Sequence, residues 1–350
     1  MKRKSSEKLN LVIENGSGGP SDVNFLAENE GILTRNLSNF RKSLKPRVRE
    51  AKNTLRLLKK SPLTMIGLII VIFIALMAVF APYLAPPYLS DQIRDPYTIP
   101  QDFEKFVAIG GPSPPGYDDY ILGSGEKGSD IYYGIVWGAR ISIVIALIVV
   151  LTSAFIGVVL AAIAGFYGGR IDDVIMRITD IFMSLPSLVL AMAVAAVLSP
   201  SIENIMLALI IVWWPGYTRL IRGQVLIIKE STFIEAAVAA GAKKSRILFR
   251  HIVPNSISPL LVSATMDMGS IVLTTAGLSY IGFGPPNITE WGRMISDGQA
   301  LFSGNIIYNG VIMNPYWVVL FPGIMIFLFV MGFNLLGDGI RDMMDPRLRR

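Results

Sequence analysis

The 350-residue chain has no cysteine and one histidine, His251. Without cysteine there is no disulfide framework, thiolate metal site or thiol redox centre, and one histidine cannot build an imidazole cluster. No metal site and no cofactor are expected. Charge is also scarce: Asp, Glu, Lys and Arg make up 17% of the residues against 52% hydrophobic. The apolar residues gather in runs about as long as the ~20 residues a helix needs to cross hydrocarbon. A complete phosphate loop is missing as well. Gly123-x4-Gly128 is followed by Ser129 instead of Lys, and Gly241-Ala242-Lys243-Lys244-Ser245 lacks the first glycine, so the chain has no nucleotide site of its own.

What is present reads as an all-α, polytopic membrane protein. Six spans are expected at 64–84, 141–164, 181–198, 203–218, 257–280 and 317–336. Pro186 and Pro200 break the third region, and Trp213-Trp214-Pro215 is expected to shorten the fourth. Bundled membrane helices tolerate such residues because neighbours satisfy the freed backbone groups.

Orientation follows from Lys and Arg between the spans. The tract before the first span carries Arg41, Lys42, Lys45, Arg47, Arg49, Lys52, Arg56, Lys59 and Lys60, and the 219–256 loop carries Arg219, Arg222, Lys229, Lys243, Lys244, Arg246 and Arg250. Both are expected in the cytoplasm, with both termini. The 85–139 loop is acidic and the 281–316 loop holds Arg293 alone, so both are expected outside. The net charge of +6 thus follows from topology, and no nucleic-acid partner is needed.

The organisation expected is a mobile arm (1–36), a basic amphipathic segment (37–62), a first span retained as an anchor (63–84), an external loop (85–139), a core (140–340) and a tail (341–350). In the second of these, Leu37, Phe40, Leu44, Val48, Ala51, Leu55 and Leu58 recur at helical steps among basic residues. That pattern suits a helix on anionic membrane lipid, kinked at Pro46, as an elbow into the first span or a regulatory element.

Within the 219–256 loop, Thr232 and Glu235 have the spacing of a capping box, which would start a helix at Phe233. Phe233, Ala236, Ala237 and Ala240 then share one face, and Gly241 supplies the left-handed closing residue. Two turns are marginal alone in water, so something must hold this helix. From spacing, Glu235 and the alanines are equally a cap with helix formers or a docking element.

The run EAAVAAGAKKSRILFRHIVPNSISPLLV resembles the EAA loop of permeases from binding-protein-dependent ABC transporters, here with Val253 where leucine is usual. LGSGEKGSDIYYGIVWGARIS (122–142), LSYIGFGPPNITEWGRMISDG (278–298) and LLGDGIRDMMDPRLR (335–349) are similar to the C-type permease of dipeptide and oligopeptide importers, although Ser124, Gly125 and Ser129 depart from the pattern. The resemblance implies the type I importer permease fold and a non-catalytic subunit in the cell membrane. It implies as partners a B-type permease, two cytoplasmic ATP-binding subunits and an external substrate-binding protein, with peptide as the solute. Glu235, Ala236, Ala237, Gly241, Ile252 and Pro254 would couple to an ATPase. Family members often carry Glu where this chain has Thr275 in the fifth span. Asp267, two turns earlier, is a possible substitute.

Ionisable residues inside spans are costly and invite a functional reading. Glu203 reads as interfacial. Asp267 either faces the pathway and pairs with a peptide amino group, or makes an interhelical hydrogen bond. Other solutes of the same family, nickel chelates among them, stay open. An ion-driven secondary transporter would need more carboxylates and paired broken helices, and a transport-free scaffold would function without an ATPase.

Overall fold

A computed structural model describes residues 61–86, 111–117, 120–125, 128–284, 288–308 and 310–344. The expected arm, the basic segment up to Lys60, the centre of the 85–139 loop and the end of the tail lie outside the described residues.

Helix α1 (Pro62–Val79) starts where Ser61 accepts a hydrogen bond from the Thr64 amide and Pro62 occupies the first turn, where a missing N–H costs nothing. A single turn, α2 (Ala81–Leu84), follows. Helix α3 (Ile131–Tyr167) begins at Asp130, whose carboxylate accepts from the amides of Tyr132 (2.8 Å) and Tyr133 (3.4 Å). Its 37 residues reach about 55 Å at 1.5 Å per residue, so the second span starts ten residues before the expected 141. Asp130 supplies a start signal that the hydrophobic run alone conceals.

The third span differs more. Helices α4 (Gly169–Met183) and α5 (Ser187–Val197) are bent by 87° at their break, so the expected 181–198 is the second part of a broken span. Pro186 sits in that break. Helix α6 (Ile202–Lys229) runs straight through Pro215, contrary to the expected shortening. The Thr218 hydroxyl donates to the Trp214 carbonyl at 3.0 Å in the same turn, and packing against neighbours outweighs the lost backbone bond.

Beyond α6 come α7 (Thr232–Ala239), α8 (Lys244–Arg246), a π-helical segment Ile247–Ile252 and α9 (Val253–Ser256). Then follow α10 (Ser258–Tyr280), α11 (Trp291–Phe302), an antiparallel hairpin of β1 (Ile306–Tyr308) and β2 (Val311–Met313), and α12 (Trp317–Met344). Among the described residues, five helices, α1, α3, α6, α10 and α12, are long and apolar enough to cross a membrane, and the α4–α5 pair makes a sixth if it counts as one span.

The most extensive helix contact is α3 against α6. Gly157 permits it, since a Cβ there would lie 2.6 Å from the Tyr217 Cβ. Small residues of this kind let membrane helices approach closely where the hydrophobic effect gives little attraction. At the end assigned to the outside by the charge pattern, indole and phenol groups bond to backbone. Trp291 Nε1 donates to Ile135 O (3.1 Å), Trp317 Nε1 to Ser124 O (3.1 Å), Trp137 Nε1 to Ala85 O (3.0 Å) and the Tyr132 hydroxyl to Leu84 O (3.1 Å).

Candidate functional site

At the opposite end, α7 closes as expected but opens differently. Ser231, not Thr232, takes the N-cap position, Thr232 is the first helical residue, and no side chain caps the helix. The capping box is therefore corrected. The Ser231 hydroxyl is turned back to donate to Ile228 O at 2.6 Å, finishing α6 instead of starting α7. The other end is a Schellman closure: Ala242 N–H bonds Ala237 O (3.1 Å), Gly241 N–H bonds Val238 O (2.9 Å), and Gly241 has φ +76°.

The helix is held by one side chain. Ile234 is buried in a cluster with Ile247, Leu248 and Ile252 below it and Tyr217, Ile221 and Val225 of α6 behind it. Ile252 is fully buried, so it anchors this cluster and offers no surface to a partner. Ala237 is half-buried, while Glu235, Ala236, Ala240, Gly241 and Pro254 are exposed. The π-helical turn before α9 has a local cause. Pro254 has no N–H for the carbonyl four residues back and its ring crowds that turn; Val253 N–H instead reaches Leu248 O, five residues back. Asn255 Nδ2 donates to His251 O (2.6 Å) and Ser256 Oγ to Ile252 O (2.8 Å), holding the widened backbone.

Sequence reasoning placed Phe233 on a face of this helix but missed two more apolar residues of the surface, Phe249 and Val238. Phe249 is 70% exposed, Val238 59% and Phe233 47%, beside exposed Lys243, Lys244, Arg246 and Arg250. The signal for Phe249 lies in its spacing: Ile247, Leu248 and Ile252 point inward, which leaves the intervening Phe249 outward.

The second candidate is a cavity of about 420 Å³ bordered by the α4–α5 bend, α6 and α10. Asp267 lines it, interacting with the Tyr217 hydroxyl and the Trp213 indole. Thr275 is not brought there. It is buried within the bundle and its hydroxyl donates to Ile271 O of its own helix at 2.8 Å. Helix α4 is braced on α6 by the Asp172 carboxylate, which takes both Arg222 Nε and Arg222 Nη2 at 2.5 Å, and by an Asp180–Arg219 ion pair. Glu203 is exposed in the first turn of α6, where a negative charge suits the helix dipole.

Two buried carboxyl groups at the outer end also went unnoticed in the sequence. Burial pushes Asp130 up to about 6, against the opposing pull of the Tyr133 and Tyr132 amides. Burial likewise raises Glu290, the N-cap of α11, which accepts from Arg293 N at 3.1 Å. Among the described residues no group of three His, Cys, Asp or Glu side chains is placed to hold a metal ion.

Residues 157–350 match the family model "Binding-protein-dependent transport system inner membrane component", and residues 51–102 match "N-terminal TM domain of oligopeptide transport permease C". The chain is 39% identical over 293 residues to the dipeptide transport system permease protein DppC of Alkalihalophilus pseudofirmus, covering 83% of this chain and 88% of that protein. It is 39% identical over 292 residues to a probable D,D-dipeptide transport system permease protein of Escherichia coli (83% and 90% covered). It is 36% identical over 300 residues to the oligopeptide transport system permease protein OppC of Bacillus subtilis (85% and 90% covered). Among solved structures, an inward-facing MetNI methionine ABC transporter aligns with 59% of this chain and 96% of its own at a TM-score of 0.45 and 15% identity.

Proposed function

Because this chain belongs to the family of binding-protein-dependent transport system inner membrane components, we propose that it is the C-type permease subunit of an ATP-driven importer of dipeptides or oligopeptides. Its fold is that of the type I importer permeases. It lies in the inner membrane with both termini in the cytoplasm and pairs with a B-type permease around the pathway. A substrate-binding protein delivers peptide outside, and two separate ATPase subunits hydrolyse ATP inside. The relatives' names, which are those of peptide permeases, support the solute class.

The observation that carries the coupling role is the surface formed by α7 and Phe249. It is apolar, exposed and rimmed by basic residues, yet fixed to the bundle through Ile234. A push on α7 passes through Ile247, Leu248 and Ile252 to Tyr217, Ile221 and Val225 on α6, and Tyr217 lines the cavity. The short helix is thus a lever on the residues that border the pathway, and the chain needs no nucleotide site.

Gly241→Val and Ala237→Leu test this reading. No atom lies within 4 Å of a Cβ at Gly241, so the valine meets only its unfavourable left-handed backbone, a cost of about 1–2 kcal/mol. Leucine at 237 forms helix well but fills space at the surface. Both variants are expected to insert normally and to lose ATPase co-purification or ATP-linked peptide uptake. Wild-type assembly and uptake in both would reject α7 as the coupling element.

A further inference from the structure

The cavity at the α4–α5 bend has a composition that the importer role alone does not require. Its walls are mostly aromatic and aliphatic, with Phe182 and Leu185 at the bend and Trp213 and Tyr217 on α6, and among the described residues the only carboxylate on them is Asp267. Asp267 lies nine residues into α10, about 14 Å along the helix and so near the middle of a bilayer core roughly 30 Å thick. Among the described residues no Lys or Arg forms an ion pair with it. The Tyr217 hydroxyl is buried, and the neighbour it interacts with is the Asp267 carboxylate itself.

A carboxylate at this depth without a cation is costly, and such residues serve pathways or pair with a ligand. A primary ammonium group meets every requirement of the walls. Its three N–H bonds have acceptors in the Asp267 carboxylate and the Tyr217 and Ser263 hydroxyls, and its charge suits the indole and phenol faces of Trp213 and Tyr217. The volume lies within the ~300–1,000 Å³ of small-molecule sites, and Phe182 and Leu185 provide an apolar surface for whatever the ammonium carries.

We propose that the cavity between the α4–α5 bend, α6 and α10 is a transient binding site for the free α-ammonium group of a peptide whose first side chain is apolar. The proposal rests on the importer reading and adds to it a selectivity exercised by the permease itself, after release from the binding protein. Because Tyr217 belongs both to this cavity and to the cluster beneath α7, occupancy and ATPase position bear on the same side chain.

The permease–ATPase complex, purified without its binding protein, is titrated with leucyl-leucine and with N-acetyl-leucyl-leucine while tryptophan fluorescence is followed. Saturable binding of the free dipeptide and at least tenfold weaker binding of the acetylated one are expected. Asp267→Asn should abolish that difference, Asp267→Glu should retain it, and Tyr217→Phe should weaken the free dipeptide a few-fold. Equal binding of the two ligands by the wild-type complex overturns the proposal whatever the variants do, and so does an assembled Asp267→Asn complex that keeps the preference. ATP-driven uptake in proteoliposomes containing the binding protein separates the two levels. Uptake by the wild type with no ammonium preference in binding removes the site and leaves the importer; absence of ATP-driven peptide uptake removes the importer reading.

Discussion

The two ends of the bundle satisfy their groups in opposite ways. At the outer end, Trp291 and Trp317 are buried, each indole donates to a carbonyl within the chain, and Asp130 and Glu290 cap helices away from water. At the opposite end, Phe249, Val238 and Phe233 stand exposed around a two-turn helix fixed through Ile234. Contiguous apolar surface on a folded chain marks an interaction site, whereas buried, satisfied polar groups make a rigid and self-contained structure. The end that carries Trp291 is a braced scaffold, although Ile121, Ile307, Val311 and Ile312 stand exposed there too, and the α7 end presents the surface proposed for a partner.

The contrast breaks most readily at Trp291. Its ring fills space against Gly138, where a Cβ would come within 2.7 Å of the indole, and stacks edge-on with Phe329 at 6.0 Å. Trp291→Ala is expected to cost about 3–5 kcal/mol, read as a large fall in the melting temperature of the purified complex, with ATPase binding below that temperature unchanged. A fall of less than a degree or two would mean that the outer end is not the scaffold described.

Asp130 gives a smaller, pH-dependent effect. Its folded-state value of about 6 lies above the ordinary 3.8, so the protonated form is favoured on folding. The stability it contributes is complete below about 3.8, is lost as pH rises through about 6, and is flat above that. Asp130→Asn keeps a good helix cap without the buried charge. Thermal stability of the variant should vary less between pH 4 and 7 than that of the wild type and should exceed it at pH 7; a variant less stable at pH 7 would show that the carboxylate is favoured there.

Phe249→Ala should have the smallest effect on stability, within about 0.5 kcal/mol, as for exposed positions generally. Yet its loss should weaken ATPase co-purification clearly. Measured together, Trp291→Ala and Phe249→Ala should show opposite patterns, one losing stability and the other losing the partner. Matching patterns would erase the distinction between the ends.

Much of this was legible in the sequence because the bilayer and glycine chemistry impose strong local rules. Five of the six expected spans followed from hydropathy, with the third replaced by the bent α4–α5 pair, and the left-handed closure at Gly241 followed from the run of helix formers before it. The start of α7 was misplaced by one residue because Ser231 and Thr232 are both capable caps, and the choice depends on whether the Ser231 hydroxyl serves α7 or the end of α6. Pro215 misled because its penalty is local while the compensation comes from α3 and the rest of the bundle. Asp267 could be singled out as a charge inside a span. Its neighbours Trp213, Tyr217, Phe182 and Leu185 could not, because an 87° bend is what brings residues from three elements around it. Ile252 and Phe249 exchanged roles for a similar reason: the π-helical turn before Pro254 decides which side chain faces the bundle.

The central claim is that the α7 surface is covered by an ATPase in the working complex. Since the chain has no native cysteine, a single Val238→Cys variant reports on that surface alone, with Ile307→Cys on the exposed outer hairpin as a reference. A maleimide reagent applied to detergent-solubilised permease with and without its ATPase subunits should label position 238 rapidly in their absence and slowly in their presence, while labelling at 307 stays constant. Equal labelling at 238 in both preparations, with the ATPases demonstrably bound, would contradict the account.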